Sequence, residues 1–288
     1  MFGFQRIGDL IWAAADMRAK GFLLGGTAGR TSLNGEGLQH QDGHSLLNAI
    51  AFPTVRGYDP ALHYEPAVII FDGLKKLYED GETAIYYLMV GNDNYIMPKM
   101  PEGCKEGIIK GIYKFRTKES EQGKHRVQLF GSGAIMNCVL KAQEILADQY
   151  GVSSDVWSVT SYNELRRDAQ ECKRWNMFHP TMEPRKSYLE TVLEGSEGPF
   201  IASSDYVQAH SEQVAQFLPD DFLALGTDGM GRSETRPALR RHFEVDAECV
   251  TVAALYQLCQ QGKVDAATVE KAIKDLGVDP DKISPLYA

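Results

Sequence analysis

Apolar side chains at Ile7, Leu10, Ile11, Ala14 and Ala15 fall on one face of a helix, and Phe22, Leu23 and Leu24 follow as a short buried strand. The pattern then stops. Residues 25–45 hold six glycines, and leucine is their only large apolar side chain; Arg30, Glu36, His40, Asp42 and His44 lie between the glycines. A loop of this length without secondary structure of its own is functional or a linker. Glycines let backbone approach a ligand closely, and the position after a strand is where open α/β sheets hold their sites. The pattern therefore points to part of an active site.

Regular periodicity resumes downstream. Residues 45–52 form a short apolar segment that Pro53 ends, and residues 65–78 suit a helix, with Val68, Ile69, Phe71, Leu74, Leu77 and Tyr78 as its apolar positions. Gly73 inside it costs about 1 kcal/mol relative to alanine. Residues 83–90 are β-branched and aromatic, as in a buried strand. Turns and charges dominate from Gly91 to Gly123, with an edge strand possible over 108–115, so a linker is placed over 101–124.

From residue 125 strands alternate with helices. Strands are expected over 127–130, 155–159, 200–202 and 222–225. Helices are expected over 134–150, 163–175, 185–193, 206–218, 237–243, 247–261 and 266–276. Such alternation demands parallel pairing with right-handed crossovers. The first helix and strand arrive without a lead-in strand, which suggests a piece of a longer polypeptide. The 288 residues then divide into 1–100, the linker, and 125–288.

Composition adds few constraints. Apolar residues make up 43% and charged residues 24%, enough for a sizeable core. A net charge of −9 opposes non-specific binding to nucleic acid and to anionic membrane surfaces. No apolar run approaches a membrane span. Five cysteines with no CxxC read as reduced thiols, hence a cytoplasmic protein.

The motifs exclude more than they assign. Gly131 and Gly133 follow a strand, but Met136 stands where a dinucleotide fingerprint needs glycine, and no acidic residue closes the next strand. His40 and His44 have the spacing of helical metal ligands, yet Gly43 weakens that helix and no cysteine lies nearby. Asp205, His210 and the serines form no nucleophile elbow. Residues 227–233 read as a structural turn with Ser233 or Thr235 as N-cap, leaving Arg232 and Arg236 as candidates for contact with a domain partner.

Residues 7–10, 25–45, 162–168, 174–177, 225–233 and 242–246 together resemble the thiamine-diphosphate-dependent pyruvate dehydrogenase component of bacterial pyruvate dehydrogenase complexes, the homodimeric type. The resemblance runs from first residue to last but covers only the family's C-terminal third. It implies an α/β fold: the latter half of a thiamin-type pyrimidine-binding domain over residues 1–100, then a transketolase C-terminal-like three-layer α/β/α domain with a mostly parallel sheet. Half a domain is expected to leave a sheet edge and apolar faces uncovered.

The resemblance also implies decarboxylation of pyruvate on thiamine diphosphate with Mg2+, and reductive acetylation of lipoyl groups of dihydrolipoamide acetyltransferase. On it, the active-site glutamate and histidine fall on Glu36 and His40, with Asp42 and His44 supporting them. The partners it implies are a second copy, the remaining N-terminal part, and the acetyltransferase. The chain lacks the Gly-Asp-Gly motif and asparagine that hold diphosphate through magnesium, and the upstream activating glutamate, so by itself it is expected neither to bind cofactor tightly nor to turn over. Two alternatives stand beside this reading: a non-catalytic dimerisation or docking module of the same family, and a metal-dependent hydrolase using His40 and His44.

Overall fold

A computed structural model describes residues 4–26, 29–35, 40–123 and 125–288. Two sheets organise the chain. The first is all parallel, with β1 (Gly21–Gly26), β3 (Ile85–Val90) and β2 (Val55–Tyr58) in the order β1-β3-β2. The central strand β3 is the aromatic, β-branched run, buried along nearly its whole length. Strand β2 is one the periodicity missed, because its four residues include the polar Arg56 and the side-chain-free Gly57. Its neighbours explain both: Arg56 Nη1 donates to Glu164 Oε2 at 2.7 Å, and a Cβ on Gly57 would fall 2.6 Å from Asn163 Nδ2.

Around this sheet lie α1 (Gly8–Asp16), α2 (Ser45–Ala49) and α3 (Tyr64–Leu74), the last continued by a π-turn over Lys75–Glu79. Gly73 is required by closeness to the sheet, since a Cβ there would lie 2.9 Å from the Phe22 ring. The expected apolar face of this helix is split: Ile69 and Leu77 are buried, whereas Phe71 and Tyr78 are exposed. Leu10, Trp12, Met17 and Leu24 are exposed as well, and β1 has one neighbouring strand among the described residues. Exposed apolar side chains thus gather on α1, α3 and β1 of the first sheet's layer, and others, such as Met177 and Phe178, lie on the second part.

The second sheet runs β4 (Ile112–Lys118), β6 (Val152–Val159), β5 (His125–Gly131), β7 (Phe200–Ser203), β8 (Phe222–Leu225). All neighbours are parallel except β4, which pairs antiparallel with β6. Residues 101–124 are therefore not simply a linker: they contain α4 (Lys105–Lys110) and the edge strand β4. The high local charge reflects a half-exposed edge, where Lys114 and Lys118 reach Asp155 and Glu144.

Alternation along the strands divides the core. Leu129, Val156 and Ile201 face α5 (Met136–Tyr150) and α10 (Ala247–Gln260). Phe130, Trp157 and Phe200 face α6 (Tyr162–Phe178) and α7 (Tyr188–Val192). Helices α9 (Arg236–His242) and α11 (Ala266–Asp275) complete one outer layer. The helix expected over 206–218 is instead α8 (Gln208–Glu212) followed by a 3-10 turn at Ala215–Phe217, because residues 204–207 bend, with Tyr206 N donating to Ser204 Oγ and Val207 N to Gly43 O.

Buried Glu65 joins the two sheets. It accepts from the amides of Ala61 and Leu62 at its own helix and from Tyr113 Oη (2.7 Å) on β4 and Ser158 Oγ (2.6 Å) on β6. No described helix is long and apolar enough to cross a membrane.

Candidate active site

The loop after β1 is held by the loops after β7 and β8, so segments far apart in sequence close on each other. Asp205, fully buried just beyond β7, accepts from Thr31 N at 2.8 Å, Ser32 N at 3.2 Å and Ser32 Oγ at 2.8 Å. Glycine is obligatory beside it: Gly29 has φ +91°, and a Cβ there would overlap Asp205 Oδ2. Burial pushes the Asp205 carboxyl up, and the Thr31 amide, the Ser32 and Thr31 side chains and the Arg240 charge pull it back.

Arg30 crosses in the opposite direction. Its Nη1 donates to Thr227 O at 2.7 Å and also to Gly229 O, and its guanidinium carbon lies 5.8 Å from the Phe243 ring centre. Gln41 closes the other end of the loop. Its Nε2 donates to Leu33 O at 3.0 Å and Arg232 O at 2.5 Å, while its Oε1 accepts from Arg232 N at 2.8 Å. Ser233 Oγ donates to Gly35 O, and Arg236 Nε donates to Ser32 O, both at 2.8 Å. The segment read as a structural turn is thus an interdomain clamp. Arg236 contacts the first half of the chain through its side chain, and Arg232 does so through its backbone.

His40 is half-buried and immediately precedes the pinned Gln41. Glu36 lies outside the described residues. Asp42 is buried and accepts from the amides of His44 and Ser45, both at 3.0 Å, and from Ser45 Oγ, which fixes the entry to α2. His44 Nδ1 lies 3.3 Å from Arg30 Nη2. Burial, and then the Arg30 charge, hold its pKa below the usual range, which keeps the ring neutral. A guanidinium at that nitrogen opposes a metal ion there.

Asp59, just past β2, was not legible from the pattern. It is buried, Gly133 (φ +47°) abuts its carboxylate, and burial pushes its carboxyl up to about 8, with Asp205 adding and Ser132 opposing. The available signal for Asp205 and Arg30 was the glycines: Gly29 lies against Asp205 and Gly43 against Arg30. Among the described residues no three His, Cys, Asp or Glu side chains gather as ligands for a metal ion.

Residues 1–98 match the family model for the pyruvate dehydrogenase E1 component middle domain, and residues 111–246 match that for the transketolase-like C-terminal domain. Solved transketolases share the architecture. The Campylobacter jejuni enzyme superposes with a TM-score of 0.63 at 17% identity, over 89% of this chain and 34% of its own. The Leishmania mexicana enzyme gives 0.59 at 14%, over 88% and 32%. The fold is thus that of a transketolase-like pair of α/β domains.

Sequence narrows the class further. The chain is 54% identical over its full length to the pyruvate dehydrogenase E1 component of Escherichia coli (strain K12), and 51% identical over 99% of its length to that of Pseudomonas aeruginosa. It belongs to the pyruvate dehydrogenase E1 component family, and it spans about a third (32%) of the length of these relatives.

Proposed function

We propose that the chain forms the C-terminal part of a pyruvate dehydrogenase E1 and supplies its acid–base histidine loop. In this reading the complete enzyme decarboxylates pyruvate with thiamine diphosphate and Mg2+, then reductively acetylates lipoyl groups of dihydrolipoamide acetyltransferase, as a cytoplasmic homodimer. The observation that carries it is the clamp. Arg30, Gln41 and Asp205 spend their hydrogen bonds on the segments flanking His40, at the carboxyl end of a parallel strand. A segment fixed in this way costs little further ordering when substrate binds.

His40 supplies an imidazole, a side chain that can both accept and donate a proton. Acetyl transfer to a lipoyl sulfur needs such a donor. Glu36 is assigned to orienting the loop or the ring, and Asp42 and His44 to supporting it. The diphosphate and magnesium ligands belong to sequence outside this chain.

The test is His40→Ala in the full-length enzyme, assayed for acetylation of a free lipoyl domain. A positioned acid is worth about 10²–10⁴ in rate, so acetylation should fall by that range with secondary structure unchanged. Wild-type acetylation rates in the variant would remove His40 from the reaction.

A further inference from the structure

The guanidinium of Arg30 is received by two segments of the second domain, the loop at Thr227 to Gly229 and the Phe243 ring, and the segment after α11 touches both. At the first, Gly229 has φ +96° and a Cβ there would overlap Pro285 O. Buried Pro285 thus packs directly on the backbone whose carbonyl accepts from Arg30 Nη1. At the second, Lys282 Nζ donates to His242 O at 2.6 Å and pairs with Glu244 Oε1 at 2.9 Å, on either side of Phe243 in sequence.

Both contacts fall on backbone that needs support. Carbonyls at a helix C-terminus lack partners within the helix, and Lys282 supplies one for His242 O at the end of α9. Glu244 holds φ +61°, a conformation that persists in a residue with a side chain only where its neighbours enforce it. Between the contacts lies a hollow of about 220 Å³, lined in part by Asp228, Phe243 and Pro285, and Ile283, Leu286 and Tyr287 are exposed. The segment is therefore held at a few points and not by continuous packing.

The two acceptors of Arg30 differ in what fixes them. Thr227 is held from the β7 side, where its amide donates to Tyr206 O and its hydroxyl to Asp205 O, both at 2.9 Å. Gly229 O is the acceptor that lies against Pro285. Arg30 in turn borders both flanks of His40. It precedes Thr31 and Ser32, a Cβ on Gly43 would fall 2.7 Å from its Nη2, and His44 Nδ1 lies 3.3 Å from the same nitrogen. At 4% exposure it cannot exchange a lost acceptor for water without cost.

We propose that residues 282–286 form a positioning strap for the histidine loop, with Lys282 as its anchor. By fixing Gly229 and the turn around Phe243, the strap holds the surfaces that receive Arg30, and through Arg30 the segments on both sides of His40. Its effect on the reaction rests on the acid–base role proposed above for His40; its effect on the loop does not.

The test uses the full-length enzyme, with Lys282→Met to release the strap and Lys282→Arg to keep its anchor. In Lys282→Met, hydrogen exchange in peptides covering 29–33 and 41–45 should quicken about tenfold, the scale of one lost hydrogen bond. The rate of lipoyl-domain acetylation at saturating acceptor should fall by a similar factor with KM held, since positioning acts on the reacting geometry and not on docking. Lys282→Arg should restore both. Unchanged exchange in the two loop peptides overturns the strap. So does faster exchange confined to 241–245 and 282–286, which would mean that the segment only caps α9. Faster exchange in the loop with undiminished acetylation upholds the strap and counts against the role given to His40. Pro285→Gly, which frees the same backbone, is read in the same way, so the test stands if one variant fails to fold.

Discussion

Gln41→Leu tests whether the clamp, rather than the loop's own sequence, fixes the segment next to His40. The substitution keeps side-chain size and deletes three hydrogen bonds, those to Leu33 O, Arg232 O and Arg232 N. Gln41 is 1% exposed, so water cannot simply replace the lost partners. Each bond is worth about 0.5–1.5 kcal/mol net. The sum is about 3 kcal/mol, and burial of the leucine returns about 1 kcal/mol of it. A loss of about 2 kcal/mol corresponds to roughly 30-fold more frequent local opening. Hydrogen exchange at the Arg232 amide reads this directly, because that amide's partner is the deleted Oε1. Gln41→Glu retains an acceptor for the same amide and should lose less protection there. Unchanged Arg232 exchange in a folded Gln41→Leu variant would refute the clamp.

Other outcomes follow from the same geometry. His210 is buried between Tyr162 and Tyr206, and desolvation lowers its pKa from 6.5 to about 3. The unfolded state then binds the extra proton first, so this contribution to stability is complete above pH 6.5 and shrinks as pH falls toward 3. At pH 5 the loss is about 2 kcal/mol. Urea titrations should show His210→Phe losing that much less than wild type between pH 7 and 5, and parallel curves would contradict the assignment. Gly29→Ala forces a Cβ onto Asp205 at positive φ and should cost more than about 2 kcal/mol, read as a drop in urea midpoint; Gly35→Ala, also at positive φ but in open space, should cost less. The purified chain alone should release no carbon dioxide from pyruvate even with thiamine diphosphate and Mg2+, measured with labelled substrate.

The parallel strands of the second domain were legible because their apolar runs are short and the intervening helices amphipathic, as at residues 127–130 and 136–150. Strand β2 and helix α4 were not. Each is brief, and what holds it is tertiary: Arg56 donating to Glu164 for one, and the Thr160 hydroxyl donating to Ile108 O for the other. At the site, His40, Asp42 and His44 stood out as titratable residues among glycines. Gln41 and Asp205 did not, because their importance lies in partners far away in the sequence. Periodicity reports a residue's local environment and carries no trace of such a partner.

The stitching of the histidine loop also orders events during synthesis. Asp205 lies 174 residues after Thr31, and Thr227 lies 197 after Arg30. The ribosome therefore exposes the loop well before anything exists to grip it, and closing so long a span is slow compared with local structure. A nascent chain arrested before β7 would carry the histidine on an unsecured tether. The last step in arming this segment is thus the docking of sequence translated much later.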